Sequence, residues 1–149
     1  MTYHSTKLLG PFSTCFRQWR ANTHCKFLHG YGLTFLLTFE TDELDHHNWV
    51  VDFGSLRWFK DQIADQFDHR LLVAEDDPLY RELIELSEKG GSDHFVVEKV
   101  GCEAFAELVG EKLICWLNDN GYSPRVRVKA VECREHEQNS AVWINDATV

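Results

Sequence analysis

Hydrophobic and polar positions alternate most clearly over residues 31–40. Leu33, Phe35, Leu37 and Phe39 fall on one side, and Thr34, Thr38 and Glu40 on the other, with Leu36 the exception. Alternate side chains share a strand face, so the pattern predicts a half-buried strand. Residues 12–19 supply a partner strand, and residues 41–48 read as a polar turn. The spacing then changes. Leu56, Phe59, Ile63 and Phe67 fall on one helix face, with Asp52 or Ser55 placed to cap its start. A polar connection through Asp76, Asp77 and Pro78 leads to a short helix over residues 79–88, which Gly90 and Gly91 stop. Residues 95–100 read as a short strand. Phe105, Leu108, Val109, Leu113, Trp116 and Leu117 then mark an amphipathic helix over residues 102–120, with Gly121 at its C-terminal glycine position.

Strand periodicity returns with Val126, Val128 and Ala130, then shifts phase by one residue to Val131, Cys133 and Glu135. A phase shift inside a strand predicts a bulge. A last strand covers residues 141–144. Strands, two helical stretches and strands again predict an α+β protein with an antiparallel sheet. No internal repeat or linker interrupts residues 1–149, so one domain is expected.

Composition narrows the function. A chain of 149 residues with 44% apolar side chains can bury a core without staples. The net charge of −9 argues against a nucleic-acid binder, although Arg17, Arg20 and Lys26 form a local basic cluster suited to a small anion. No run approaches the length of a membrane span, and the first ten residues lack the apolar stretch of a signal peptide. The five cysteines are odd in number and contain no CxxC, which fits reduced thiols in a cytoplasmic protein.

Three groups offer chemistry. His24, Cys25, His29 and Tyr31 lie between the first two strands, and Lys26 adds a positive charge beside the thiol. Nearby cations stabilise a thiolate and make it a base or nucleophile. The same residues also describe an ordinary loop with two histidines and a half-buried thiol. Asp68 precedes His69, and a carboxylate can orient an imidazole and raise its basicity. A histidine at a helix C-terminus also suits the dipole without any catalytic role. Glu135, His136 and Glu137 end a strand, where a glutamate can accept hydrogen bonds from a ligand or simply face solvent.

Together these segments resemble one family. Cys25-Lys26-Phe27-Leu28-His29-Gly30-Tyr31 is similar to the C-x-x-L-H-G-H signature of the 6-pyruvoyl- and 6-carboxytetrahydropterin synthases, with tyrosine in place of the last histidine. Asn48-Trp49-Val50-Val51-Asp52-Phe53 resembles the family's segment before its first helix, and Phe67-Asp68-His69-Arg70-Leu71-Leu72 resembles its L-D-H-x-x-L-N segment. Glu135 matches the pterin-holding glutamate, with Glu132 as a rival. Gly101-Cys102-Glu103 stands where the family has P-T-x-E. The resemblance runs from about residue 12 to residue 143.

The resemblance implies a T-fold, an antiparallel four-stranded sheet with two helices on one face, assembled into trimers or hexamers with active sites between subunits. The substrate it implies is 7,8-dihydroneopterin triphosphate. The product of the bacterial branch, which this spacing resembles, is 6-carboxy-5,6,7,8-tetrahydropterin on the route to queuosine. The implied roles are Cys25 as base, Asp68 and His69 as proton relay, Glu135 as pterin anchor, and Arg17, with Arg20 or Lys26, on the triphosphate. Family members hold zinc with three histidines. Phe16, His29 and Tyr31 stand at those positions, so zinc is expected to be weakly held or differently placed, with His24 and Cys25 as substitute ligands. A pterin-binding paralogue without the chemistry is the second reading.

Overall fold

The computed structural model describes residues 1–147. The elements run β1 (Tyr3–Phe16), β2 (His29–Thr41), α1 (Arg57–Phe67), β3 (Arg70–Ala74), α2 (Tyr80–Glu88), β4 (His94–Val97), α3 (Cys102–Asp119), β5 (Val126–His136) and β6 (Asn139–Ile144). They form one sheet in the order β4-β3-β1-β2-β5-β6. The four strands β1, β2, β5 and β6 are antiparallel, whereas β3 and β4 add parallel pairs beside β1. The expected four-stranded antiparallel sheet is therefore corrected to a six-stranded mixed sheet.

The extra pair follows from burial. Leu71, Leu72, Val73 and Ala74 are all buried, so β3 shows no alternation. Its two faces serve different cores. Leu72 and Ala74 join the main core, while Leu71 and Val73 pack with Leu83 of α2 and with Cys15. The third helix, α2, thus covers the opposite face from α1 and α3, which correct the expected pair of helices to two on one face and one on the other. No helix among the described residues is long and apolar enough to cross a membrane.

The main core is the α1/α3 face of the sheet. Phe35, Phe39, Phe59, Phe67 and Phe105 are its largest fully buried side chains. Edge-on aromatic contacts run through it from Phe35 to Phe67 (5.0 Å), Phe67 to Phe105 (5.5 Å) and Phe105 to Phe16 (5.0 Å). Two irregularities shape the sheet. In β5 the register against β2 shifts at Lys129, placing Val126, Val128, Val131 and Cys133 on the buried face. In β1 the register shifts between Leu9 and Phe12, where Gly10 has φ 98°. A β-carbon there would sit 2.6 Å from the Leu33 carbonyl oxygen, so only glycine fits. Glycine serves the end of α3 as well: Gly121 takes φ 76°, and the amide of Tyr122 returns to the Leu117 carbonyl at 3.0 Å.

Candidate functional site

β1 and β2 end side by side, with Phe16 opposite His29. The face of β2 that buries Leu33, Phe35, Leu37 and Phe39 carries Tyr31 and His29 beyond the core. The matching face of β5 carries Glu135 beyond Val131 and Cys133. At this end of the sheet Gly101, with φ 119°, lets the chain turn into α3 and sets Cys102 above Glu135. The Cys102 Sγ lies 3.8 Å from Glu135 Oε2, and Asn139 Nδ2 donates to Glu135 Oε1 at 3.2 Å. Glu135 is therefore held from two sides while a quarter of its side chain (26%) stays exposed.

Tyr31 lies where these elements converge. Burial raises its phenol pKa, and the negative potential of Glu135, Cys25 and Cys102 raises it further. The group stays a neutral hydrogen-bond donor at physiological pH. Contact with Cys102, then burial, likewise pushes the Cys133 thiol up. Cys25 differs: it is exposed, in a single 3₁₀ turn (His24–Lys26) between β1 and β2. The Thr23 hydroxyl accepts from the Cys25 amide at 3.4 Å, and the Gln18 amide donates to the Cys25 carbonyl at 2.9 Å.

His24 and His29 stand with ring centroids 5.9 Å apart, and His29 and Tyr31 6.4 Å apart. His29 donates from Nδ1 to the Phe27 carbonyl at 2.8 Å, which leaves Nε2 facing outward as an acceptor in the neutral ring. These residues do not fit a three-histidine zinc site. Phe16 has no donor atom, and Tyr31 is kept protonated. His29 is then the sole good ligand at the three positions, whereas zinc takes three or more. Among the described residues, three potential ligands within 4.8 Å of one another occur in Asp45, His46 and His47, at the opposite end of β2. There one Asp45 oxygen already accepts the His47 and Trp49 amides and builds the turn.

Asp68 and His69 lie beside β1, where His69 lines a hollow with Ser13, Leu28 and Gly30. Asp68 Oδ1 accepts the Ser13 amide at 2.9 Å and stands 3.2 Å from His69 Nδ1. His69 takes φ 61°, and its side chain is 82% exposed. Neither residue makes a hydrogen bond or ion pair with Cys25, His29, Tyr31 or Glu135 within the described chain. Glu132 is turned away from the site, held by Arg134 (3.3 Å) and Ser140 (3.1 Å).

The cations near Cys25 are mostly engaged. Arg17 donates from Nε and Nη2 to the two carboxylate oxygens of Asp77 at 2.8 and 2.7 Å, and from Nη1 to the Lys26 carbonyl at 2.9 Å. Arg20 pairs with Asp76 at 2.9 Å. Lys26 makes no ion pair among the described residues; its ammonium lies 5.5 Å from the centre of the Phe27 ring. Asp77 was not legible as a site residue, since the Asp76-Asp77-Pro78 run reads as a polar connection.

The six-stranded mixed sheet, with α1 and α3 on one face and α2 on the other, carries Cys25 and Glu135 at one end. The family model for 6-pyruvoyl tetrahydropterin synthase matches residues 8–146, and the chain belongs to that family. It is 29% identical over 121 residues to the 6-carboxy-5,6,7,8-tetrahydropterin synthase of Aquifex aeolicus, covering 80% of this chain and 75% of that one. An uncharacterized protein from Wolinella succinogenes shares 25% identity with a TM-score of 0.85, over 98% of this chain and 99% of that one. The 6-pyruvoyl tetrahydropterin synthase of Caenorhabditis elegans superposes with a TM-score of 0.67 at 15% identity, over 98% and 97% of the two chains.

Proposed function

We propose that this protein is a lyase that converts 7,8-dihydroneopterin triphosphate and one water to 6-carboxy-5,6,7,8-tetrahydropterin, releasing acetaldehyde and triphosphate, in queuosine biosynthesis. The observation that carries the reading is that Tyr31 on β2 and Glu135 on β5 share one face at the same end of the sheet, with Cys25 in the turn that leads into β2. The similarity to the 6-carboxy-5,6,7,8-tetrahydropterin synthase of Aquifex aeolicus supports the same product.

In this reading Glu135 accepts two hydrogen bonds from the amino and ring N–H edge of the pterin. Its fixed carboxylate, held by Cys102 and Asn139, orients the ring. Cys25 serves as the base that moves protons on the side-chain carbons, general-base work that contributes about 10²–10⁴-fold. Tyr31, as a neutral phenol, donates a hydrogen bond to the side-chain oxygen. Lys26, beside Cys25, meets the triphosphate.

Asp68 and His69 complete the relay from a second copy of the chain, so the working unit is a homo-oligomer. Two features support assembly. β6 is an edge strand, and it exposes Val142 (52%) and Ile144 (54%). Unpaired edges are ordinarily covered or closed into rings.

The test is incubation of the purified protein with 7,8-dihydroneopterin triphosphate and identification of products by mass spectrometry. Formation of the 6-carboxy product supports the reading, and a different pterin product would change the reaction. The Phe16–Tyr31 substitution favours one second reading, a pterin-binding paralogue without turnover. Tight binding with no product would select it.

A further inference from the structure

We propose that Arg17 and Asp77 form a buried clasp whose role is to position Cys25. The inference rests on Cys25 being the catalytic group. Arg17 is the first residue after β1, and Asp77 lies in the turn between β3 and α2. Their side chains are 15% and 1% exposed, so the pair is shielded from solvent, unlike the neighbouring Arg20–Asp76 pair at 66% and 51%. Exposed pairs contribute little, whereas a buried bidentate pair fixes both position and direction.

The geometry passes from the clasp to the thiol in two steps. The guanidinium uses its Nε and one Nη on Asp77 and points its other Nη at the Lys26 carbonyl. The next residue, Gln18, donates its amide to the Cys25 carbonyl. Two consecutive carbonyls of the 3₁₀ turn, at Cys25 and Lys26, are thus tied to two consecutive residues of the segment that Asp77 anchors. The other hydrogen bonds of the turn stay inside the loop, from the Cys25 and Lys26 amides to Thr23 and from the Phe27 amide to His24, and none of His24, Cys25 and Lys26 is buried. With little packing to fix the loop, its placement against the rest of the fold depends on the bonds from Arg17 and Gln18. Asp77 is in turn fixed by the Leu79 amide, which donates to its Oδ1 at 2.8 Å.

Asp77→Asn isolates the clasp. Asparagine keeps an oxygen for the Leu79 amide and is itself a good helix-capping residue. Its NH₂ group faces a guanidinium donor, so the bidentate pair is lost. Arg17→Lys removes the fork while keeping the charge. Both variants are expected to speed hydrogen exchange at residues 25–27 by about tenfold, with β2 and α3 unchanged. Both are expected to lower kcat by up to about 10²-fold, with KM moving less than about threefold. The double variant is expected to be no worse than the more impaired single one, because the two residues act as a unit. Arg20→Ala, which breaks the exposed pair and the stacking of Arg20 on Trp19 (4.2 Å) but leaves the clasp intact, leaves exchange at residues 25–27 unchanged.

Unaltered exchange at residues 25–27 in Asp77→Asn overturns the proposal. So does Arg17→Lys raising KM while Asp77→Asn is silent, since Arg17 would then be meeting the triphosphate. If Asp77→Asn does not fold, Arg17→Lys decides by the same exchange measurement. Exchange needs no substrate, so it separates failure of the clasp from failure of the lyase reading.

Discussion

Phe16 and Tyr31 stack face to face across β1 and β2 with ring centroids 4.8 Å apart, at two of the three positions where the family resemblance places zinc-binding histidines. Phe105 packs edge-on to Phe16 and ties the stack to the core. An apolar ring stack in place of two imidazoles removes donor atoms and excludes the water an ion would carry. Zinc is therefore expected to be substoichiometric after purification without chelator, and activity is expected to survive EDTA. Phe16→His with Tyr31→His, joining His29, is expected to create tight zinc binding, measured by metal analysis and competition titration. Full activity that is lost with EDTA and restored by zinc would contradict this.

Glu135 and Glu132 sit on opposite faces of β5, and only Glu135 shares the face of Tyr31 and Cys102. Glu135→Gln is expected to weaken pterin binding by roughly 1.5–3 kcal/mol, the worth of a hydrogen bond to a charged group. Glu132→Gln, at a residue held by Arg134 and Ser140, is expected to bind pterin as the unaltered protein does. Isothermal titration with a dihydropterin distinguishes them, and the reverse ranking would place the pterin on the other face.

The antiparallel part of the sheet was legible because one face is buried and one is wet: Leu33 to Phe39 in β2, and the phase shift at Lys129 in β5, appear as a period and its interruption. The first half of β1 was not, because Ser5 and Lys7 point inward while Leu8 points out and is 59% exposed. β3 was missed for the opposite reason, since a strand buried on both faces has no polar positions to alternate with. At the site, Cys25, His29, Tyr31 and Glu135 were recognisable as residue types in sequence, and their convergence needed the pairing of β1 with β2 and β2 with β5. Asp77 carried no signal, because its partner Arg17 is sixty residues away.

Gly110 in α3 is the point where the aromatic ring of Trp143 from β6 lies against the helix. A β-carbon on Gly110 would overlap that ring. Gly110→Ala is expected to destabilise the fold by about 1–3 kcal/mol, although alanine is the better helix former. Chemical denaturation checks the sign, and Trp143→Ala in the same chain is expected to relieve most of the cost. A stabilised Gly110→Ala would show that Trp143 moves aside freely.

Burial pushes the Asp77 carboxyl up, but the hydrogen bonds from Arg17 and the Leu79 amide outweigh it and leave the pKa below the ordinary value. A carboxyl depressed in the folded state contributes stability that is present above its unfolded pKa of about 3.9 and lost as pH falls through the folded value. The stability difference between the unaltered protein and Asp77→Asn is therefore expected to be constant near neutrality and to shrink below about pH 4. Urea denaturation across that range measures it, and a difference that grows on acidification would reverse the assigned shift.

Cys25 makes no hydrogen bond or ion pair with Asp68 or His69 among the described residues, which allows a direct test of whether the site is shared between copies. Cys25→Ala is expected to lower turnover by about 10²–10⁴-fold with pterin binding nearly intact, and His69→Ala is expected to lower turnover as well. If each site takes Cys25 from one copy and His69 from the next, mixing the two inactive variants rebuilds some sites. An assembly formed at random from equal amounts would hold both groups at about one quarter of its sites. Unfolding and refolding the variants together is therefore expected to recover about a quarter of the unaltered rate, whereas each variant refolded alone recovers none. Recovery absent from the mixture, in a sample that light scattering shows to be assembled, would mean that Cys25 works without His69 from a neighbour. A 17.4 kDa monomer in light scattering would count against the shared site altogether.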